Sequence, residues 1–299
     1  MNAVIKESSI SHYIDNMSND EYHNPLRGIS ASVVKSLIED PALLKWTQDA
    51  PQNTDKMAAI DFGTDFHAYF LEPHAFKEKY KVLPEFNRRK KEEKEAEIAL
   101  IEEWKDAGIT AATHEDMAKL ESMAASAMAH PTVDAIMSLD GVAERSYFWK
   151  DKVTGVPCKC RPDWLVLDIN DNNRPSFMRP NSDILVADIK TIADISRIQA
   201  QIENLKYFVQ EPFYTQGISQ VEGGNVEFVF IFVSTSLSLG RYPVQVVRLT
   251  DTAVFDGKQL INEALNTYAQ MSAGDESIWQ TVVNMDRPHW ATREEDILL

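Results

Sequence analysis

An aspartate stands inside one of the most apolar strand-like segments of the chain. Ile184-Leu185-Val186-Ala187-Asp188-Ile189-Lys190-Thr191 has the aliphatic, β-branched density of a buried strand, and Asp188 interrupts it. A carboxylate in such a place is costly unless it is paired or metal-bound. Strand side chains alternate between faces, so Asp188 and Lys190 point the same way. Asp163 lies 25 residues upstream in Arg161-Pro162-Asp163-Trp164-Leu165-Val166-Leu167, at the head of a second apolar run. Two acids at the ends of neighbouring strands can serve a hard cation such as Mg²⁺, which takes one or two carboxylates plus water. A lysine beside them can lower the pKa of an attacking water or offset charge developing on a phosphorane. D-x-K alone is a common pattern, and a strand-end lysine that merely pairs with Asp188 fits it equally well. Without a metal, removing the Asp188 charge is expected to leave the fold intact or slightly strengthen it.

At 299 residues and 44% apolar content, the chain is long enough for one α/β domain with a sizeable core and appended segments. Lys plus Arg number 30 against 46 Asp plus Glu, a formal net charge of −16, which argues against bulk nucleic-acid binding. It leaves room for a local basic channel, because affinity comes from the few cations that touch phosphates. Cys158 and Cys160 alternate on one strand face, a poor disulfide geometry, and no other cysteine exists. With no His or Cys cluster beside them they read as reduced thiols of a cytosolic protein. The N-terminus lacks a basic region followed by a long apolar stretch, so no signal peptide is expected. The apolar run Phe228 to Val233 falls well short of the ~20 residues that span a bilayer. A soluble, cytoplasmic protein without a membrane partner is expected.

Residues 1–20 read as a poorly ordered or extended segment, and 21–299 as one domain with a helical part at 21–140 and a sheet-centred catalytic core at 141–299. Ser30 or Ser32 can cap a helix through Val33, Val34, Leu37 and Ile38. Further helices are predicted at 41–49, 58–72, 90–105 and 113–129. Ile98, Leu100, Ile101 and Trp104 form the apolar side of the third. Met117, Leu120, Met123, Ala124, Ala127 and Met128 form that of the last. Strands are predicted at 144–150, 155–168, 184–191, 226–235 and 242–250, interrupted by one helix at about 195–219 and followed by another at 252–271. The polar stretch 169–183 reads as an exposed loop between the two acid-bearing strands. The pattern predicts an α/β fold, a mixed β-sheet flanked by helices, with a crossover helix packed on it.

His67 shares a helix face with Gly63 and Leu71, where it is either a satisfied core histidine or, beside the two aspartates, a metal ligand. Gln210 and Tyr214 are four residues apart and share a helix face, suited to holding a catalytic carboxylate and meeting a nucleotide, although Pro212 between them can kink the turn. A solvated glutamine on an amphipathic helix fits as well. Glu144 at a strand start is a further carboxylate for the cluster or a solvated strand end. Arg88, Arg89, Lys90 and Lys91 form the densest basic run, able to track phosphates or to lie as a solvated face balanced by Glu92, Glu93 and Glu95.

In order, a helical His, a Glu, an Asp, D-x-K and Q-x-x-x-Y resemble the RecB-like branch of PD-(D/E)xK nucleases. Within it, the chain is most similar to the C-terminal nuclease domain of the RecE (exonuclease VIII) type. The likeness rests on Tyr22-His23, Gly28-Ile29-Ser30, Asp61-Phe62-Gly63-Thr64-Asp65-Phe66-His67, Leu71-Glu72-Pro73 and Pro84-Glu85-Phe86-Asn87-Arg88-Arg89. It continues through Cys158-Lys159-Cys160-Arg161-Pro162-Asp163, Asp188-Ile189-Lys190-Thr191-Ile192-Ala193-Asp194, Tyr207-Phe208-Val209-Gln210 and Gly240-Arg241-Tyr242-Pro243-Val244. The resemblance implies a PD-(D/E)xK core and Mg²⁺-dependent 5′→3′ digestion of one strand of linear duplex DNA, with Mn²⁺ substituting. A 3′ overhang would pass to a RecT-like single-strand annealing protein, and the enzyme would work as a ring-shaped tetramer of phage or prophage origin.

By the same resemblance His67, Asp163, Asp188 and the Ile189 carbonyl are metal ligands and Lys190 activates water. Glu144, Gln210 and Tyr214 support the site. Ser32 and Arg27 resemble a 5′-phosphate-binding turn, and Arg88, Arg89 and Arg161 are further DNA contacts. The loop 169–183 is longer than the family needs. Two other readings remain: a different nuclease of the superfamily, or an idle DNA-end-binding module on the same scaffold. A cluster-binding end processor is disfavoured because two cysteines cannot hold an iron–sulfur cluster.

Overall fold

The computed structural model describes residues 11–42, 44 and 62–279. Its helical part runs β1 (His12–Ile14), α1 (Asn19–His23), α2 (Ala31–Glu39), α3 (Phe62–Leu71), α4 (Pro73–Lys79), β2 (Tyr80–Val82) and α5 (Lys91–Asp106). β3 (Thr110–Ala112), α6 (His114–Met128) and α7 (Pro131–Met137) follow. The sheet part comprises β4 (Val142–Ala143), β5 (Ser146–Lys150), β6 (Pro157–Cys160), β7 (Trp164–Val166) and β8 (Ile184–Ile192). It ends with α8 (Ile198–Asn204), α9 (Tyr207–Glu222), β9 (Val226–Ser234), β10 (Val244–Val247) and α10 (Asp251–Ser272).

β8 and β9 form the spine of the molecule. They pair in parallel from Ile184 opposite Val226 to Ile192 opposite Ser234. Parallel neighbours need a long crossover, supplied here by α8 and α9. β10, β9, β8, β7 and β4 make the central sheet in that order, and β1, β5 and β6 make a smaller antiparallel one. Both faces of the spine are covered, so its residues sort strictly by parity. Ile184, Val186, Phe228, Phe230 and Phe232 pack with α2, α9 and α10 in one core cluster. Leu185, Ala187, Ile189, Val229, Ile231 and Val233 pack with α3, α6 and α7 in the other. Each fully buried side chain of this size contributes about 1.5–3 kcal/mol. Asp188 falls on the first of these faces, among apolar neighbours, with Lys190 two residues on and the covering helices as the sources of polar partners.

Several expectations are refined. The run 155–168 splits into β6 and β7, because Pro162 lacks a ladder donor. The helix 195–219 splits at Lys206, whose φ of 49° is left-handed. α5 lies on the surface: Ile98 is exposed, and the residue it buries is Glu97, paired with Arg88. Met128 is exposed rather than part of the α6 stripe. The loop 169–183 is not wholly exposed, since Ile169, Met178 and Ser182 are buried. β1 pairs with β5 within the N-terminal segment. Most of the expected helix 41–49, and residues 58–61 of the next, lie outside the described residues.

Pro212 leaves α9 unbroken from Tyr207 to Glu222. Its missing N–H frees the Phe208 carbonyl four residues earlier. α10 closes on that spot through Gly257, where a Cβ would lie 1.9 Å from the Phe208 oxygen and 3.0 Å from Pro212 Cγ. Gly257→Ala would gain about 1 kcal/mol from helix propensity in an open helix. Here the backbone clash dominates, so denaturant unfolding should show a net loss of about 1–3 kcal/mol. A midpoint equal to or above wild type would show that α10 does not seat on this carbonyl.

Candidate metal and catalytic centre

The centre forms where β7 begins and β8 runs past it. Trp164 lies opposite Ala187 in the antiparallel register, which brings Asp163 beside Asp188. Beyond that point β8 has lost its β7 neighbour. The Ile189 N–H instead donates to Asp163 Oδ2 at 2.6 Å, so a side chain satisfies the orphaned backbone donor. The carboxylate is thereby fixed at the strand end.

Asp188 is 1% exposed and its two oxygens are held separately. Gln210 Nε2, from α9, donates to Oδ2 at 2.7 Å, and the Lys190 ammonium contacts Oδ1. Lys190 also lies 5.2 Å from the centre of the Tyr207 ring, a cation–π distance. The i, i+2 alternation therefore does what the sequence pattern implies, and α9 supplies both the amide and the aromatic wall. Tyr214, one turn beyond Gln210, packs edge-on against Phe228.

From the opposite face α3 delivers His67, whose Nδ1 lies 3.3 Å from Asp163 Oδ2. Glu144 sits between β4 and β5 at a left-handed φ of 53°, and its N–H donates to the Asp163 carbonyl at 3.3 Å. One ligand atom each from His67, Glu144 and Asp163 lies within 4.8 Å of the others. An imidazole nitrogen with carboxylate oxygens is a donor set that fits a divalent cation. The grouping differs from the expected one: Glu144 joins the three-donor set, whereas Asp188 faces Lys190 and Gln210. Glu144 was legible as a further carboxylate for the cluster or a solvated strand end, but the left-handed turn that places it carries no sequence signal of the usual glycine or asparagine kind.

Burial raises the Glu144 pKa to about 8, assisted by the Asp163 charge. Burial, then Asp163, also pushes Asp188 up. For Asp163 burial pulls upward as well, but His67, Lys190 and the Ile189 N–H outweigh it and hold the carboxyl below its usual range. Burial would lower Lys190, yet Asp188 and Asp163 keep it protonated. His67 is likewise raised, Asp163 overcoming burial.

These groups open into a cleft of about 660 Å³ lined by His67, Glu144, Arg161, Ile189, Lys190 and Tyr207, with residues 16–19 as one wall. Arg161 fastens that wall through Asn19 Oδ1 at 2.7 Å and the Met17 carbonyl at 3.0 Å, and reaches Ser146 Oγ at 2.8 Å. Its guanidinium is thus largely committed to structure. Arg27 lies over Phe148, Ser32 is hydrogen-bonded to Ser30 near the start of α2, and Arg88 is held by Glu97; none of these, nor Arg89, lines the cleft. Tyr207, Gln201 and Lys35 were missed as site residues. Gln201 lines the cleft and donates to the Tyr207 hydroxyl at 3.3 Å. Lys35 lies 5.1 Å from the Tyr207 ring, and burial followed by Lys190 lowers its pKa to about 8. Their relation to the cleft depends on how α2, α8 and α9 dock against one another, which no local motif encodes.

Residues 30–278 match the model of a family described as a PDDEXK-like domain of unknown function, DUF3799. The chain belongs to this family, and its mixed sheet flanked by helices is a PD-(D/E)xK nuclease core. A provisionally assigned exonuclease from Eubacterium rectale shares the fold at a TM-score of 0.54 and 12% identity, over 94% of this chain and 98% of that one. The protein crystallised as SSO0001 aligns at a TM-score of 0.27 and 11% identity, over 82% and 86% of the two chains, which carries no structural argument. No curated protein sequence matches the chain.

The Asp188–Lys190 pair reverses the expectation that losing the acid is harmless. Asp188→Ala should cost about 3 kcal/mol in chelator-treated protein, because it strands a buried ammonium. Adding Lys190→Met to the same protein should recover most of that loss in a double-mutant cycle. A single variant as stable as wild type would mean the pair is not closed in solution.

Proposed function

We propose that this protein is a divalent-metal-dependent exodeoxyribonuclease. It would digest one strand of linear duplex DNA in the 5′→3′ direction and leave 3′ overhangs for phage-type recombination. The observation that supports this reading most is the Asp163, Asp188 and Lys190 triangle where β7 begins beside the middle of β8, with His67 and Glu144 closing over it. His67, Asp163, Asp188 and the Ile189 carbonyl would hold Mg²⁺, or Mn²⁺ in its place, with Glu144 completing the set. Bound there, the metal would polarise the scissile phosphate and acidify a water molecule.

The chain's own groups supply the rest. Gln210 orients Asp188 through Oδ2 and leaves its other oxygen beside Lys190. The Lys190 ammonium favours deprotonation of a water in the cleft and balances charge gathering on the phosphoryl oxygens. Arg161 keeps the wall formed by residues 16–19 in place, and Tyr214 seats α9 against the sheet. Ser32 and Arg27 would meet the 5′ phosphate at the start of α2, with Arg88 and Arg89 as outer contacts.

Residues 21–299 would act as one nuclease unit within a ring-shaped tetramer, where only the channel need be basic. The overhang would pass to a RecT-like annealing protein in the cytoplasm of a bacterial host, encoded by a phage or prophage. No described helix is long and apolar enough to cross a membrane.

Incubation with linear and covalently closed duplex DNA, with and without Mg²⁺, tests the reading. Linear duplex should be lost from its 5′ ends only with metal, and closed circles should survive. Lys190→Ala should lower kcat by about 10²–10³-fold with DNA affinity little changed. Cut circles would move the assignment to an endonuclease, and no cleavage with either metal to an idle end-binding module.

A further inference from the structure

The hairpin between β9 and β10 ends in a tight turn that carries apolar residues outward. Ser238 and Arg241 exchange backbone hydrogen bonds at 2.8 and 3.1 Å, which leaves Leu239 and Gly240 as a two-residue turn. Both are at positive φ, 50° and 80°. Such a turn ordinarily takes asparagine or aspartate before the glycine, because a bulky side chain is strained in the left-handed region. Leu239 carries that strain and is fully exposed as well, and Leu237 before it is largely exposed. A leucine held outward at a strained position adds nothing to this chain's own core, and strain of that kind marks a segment kept for a contact. Arg241 is also exposed and forms no ion pair among the described residues.

The same chain holds a recess of matching character. A groove of about 690 Å³ lies between α3, α4, β2 and α6, with Tyr69, Phe76, Tyr80, Met117, Met128 and Met137 in its walls. Met128 and Val82 at its edge are exposed. Methionine side chains re-pack readily around an inserted aliphatic group. Glu121 of α6 and Lys77 of α4 are its charged residues, and Glu121 forms no ion pair among the described residues. The groove therefore offers apolar walls and a spare carboxylate, and the hairpin offers two leucines and a spare guanidinium.

The two features lie on opposite flanks of α6. At the base of the hairpin the Tyr242 N–H donates to Ser126 Oγ at 3.1 Å. Ala124 and Met128 line the groove. Ser126 is two residues from each, which places it about 200° round the helix from both. A contact that joins opposite flanks of two copies is heterologous, and a series of such contacts closes into a ring where the rotation allows. We propose that the Leu237 to Arg241 hairpin of one copy docks in the groove of a second copy, with Leu237 and Leu239 among the methionines and Arg241 against the partner's Glu121. The inference rests on the ring-shaped assembly proposed above, whose subunit contact it names, and it does not depend on the nuclease chemistry.

Sedimentation velocity and light scattering of the full chain test it. Leu239→Asn should raise the dissociation constant of the assembly by about tenfold or more. Its circular dichroism should match wild type, because asparagine suits the left-handed turn better than leucine. Met128→Lys, at the exposed edge of the groove, should weaken assembly to a similar extent from the other side. Arg241→Glu and Glu121→Arg should each weaken it, and the two together in one chain should restore it.

A wild type that assembles, with none of these variants changing its mass, would overturn the docking and leave the ring standing. A monomeric wild type would overturn both. Open polymers that Leu239→Asn abolishes would remove the ring and leave the contact standing. Variants that keep their assembly but lose affinity for duplex DNA would make the hairpin a DNA contact and overturn the proposal.

Discussion

The carboxylate of Asp188, enclosed within the central sheet between Lys190 and Gln210, is the interaction on which the rest depends. An acid at that depth costs several kcal/mol unless its oxygens are satisfied. The fold satisfies each from a different source: strand alternation places Lys190 two residues on, and α9 delivers an amide from across the layer. That requirement fixes where α9 sits. Pro212 and Gly257 let α10 clamp α9 closely, so Gln210 and Tyr207 are held against β8 rather than merely near it. The geometry of the cleft is thus an outcome of how one buried charge is accommodated.

The second acid is positioned by the opposite device. Asp163 comes at a strand start, where Pro162 has just prevented the ladder from continuing. Its side chain replaces the missing backbone partner of Ile189. A carboxylate held by a backbone N–H cannot drift, and His67 and Glu144 reach it from two further elements. Four separate segments therefore converge on a volume the size of a hydrated ion. The polar cost of gathering them is carried by two apolar layers, one on each face of β8 and β9.

What could be read from the sequence divides along this line. Asp163, Asp188 and Lys190 were legible because strand periodicity and a single acid in an apolar run are local signals. The parity of β8 and β9, α2, α6 and α10 were legible for the same reason. Gln210 was legible through its i, i+4 relation to Tyr214, and α9 proved continuous despite Pro212. Tyr207, Gln201 and Lys35 were not recognised, because their relevance arises from helix docking across long sequence separations. The grouping of Glu144 with His67 depended on a left-handed backbone at Glu144 that its side chain does not announce. The basic run at Arg88 was legible by composition as a nucleic-acid contact or a solvated face, but the pairing of Arg88 with Glu97, nine residues on, was not.

The central claim is that these side chains form a single metal centre. Crystals grown with Mn²⁺ and measured for anomalous scattering test it most directly. The account predicts an anomalous peak within coordination distance of His67, Glu144 and Asp163, with Asp188 on its border and Lys190 beside it. A peak bound elsewhere, with this cleft empty at saturating Mn²⁺, would contradict it.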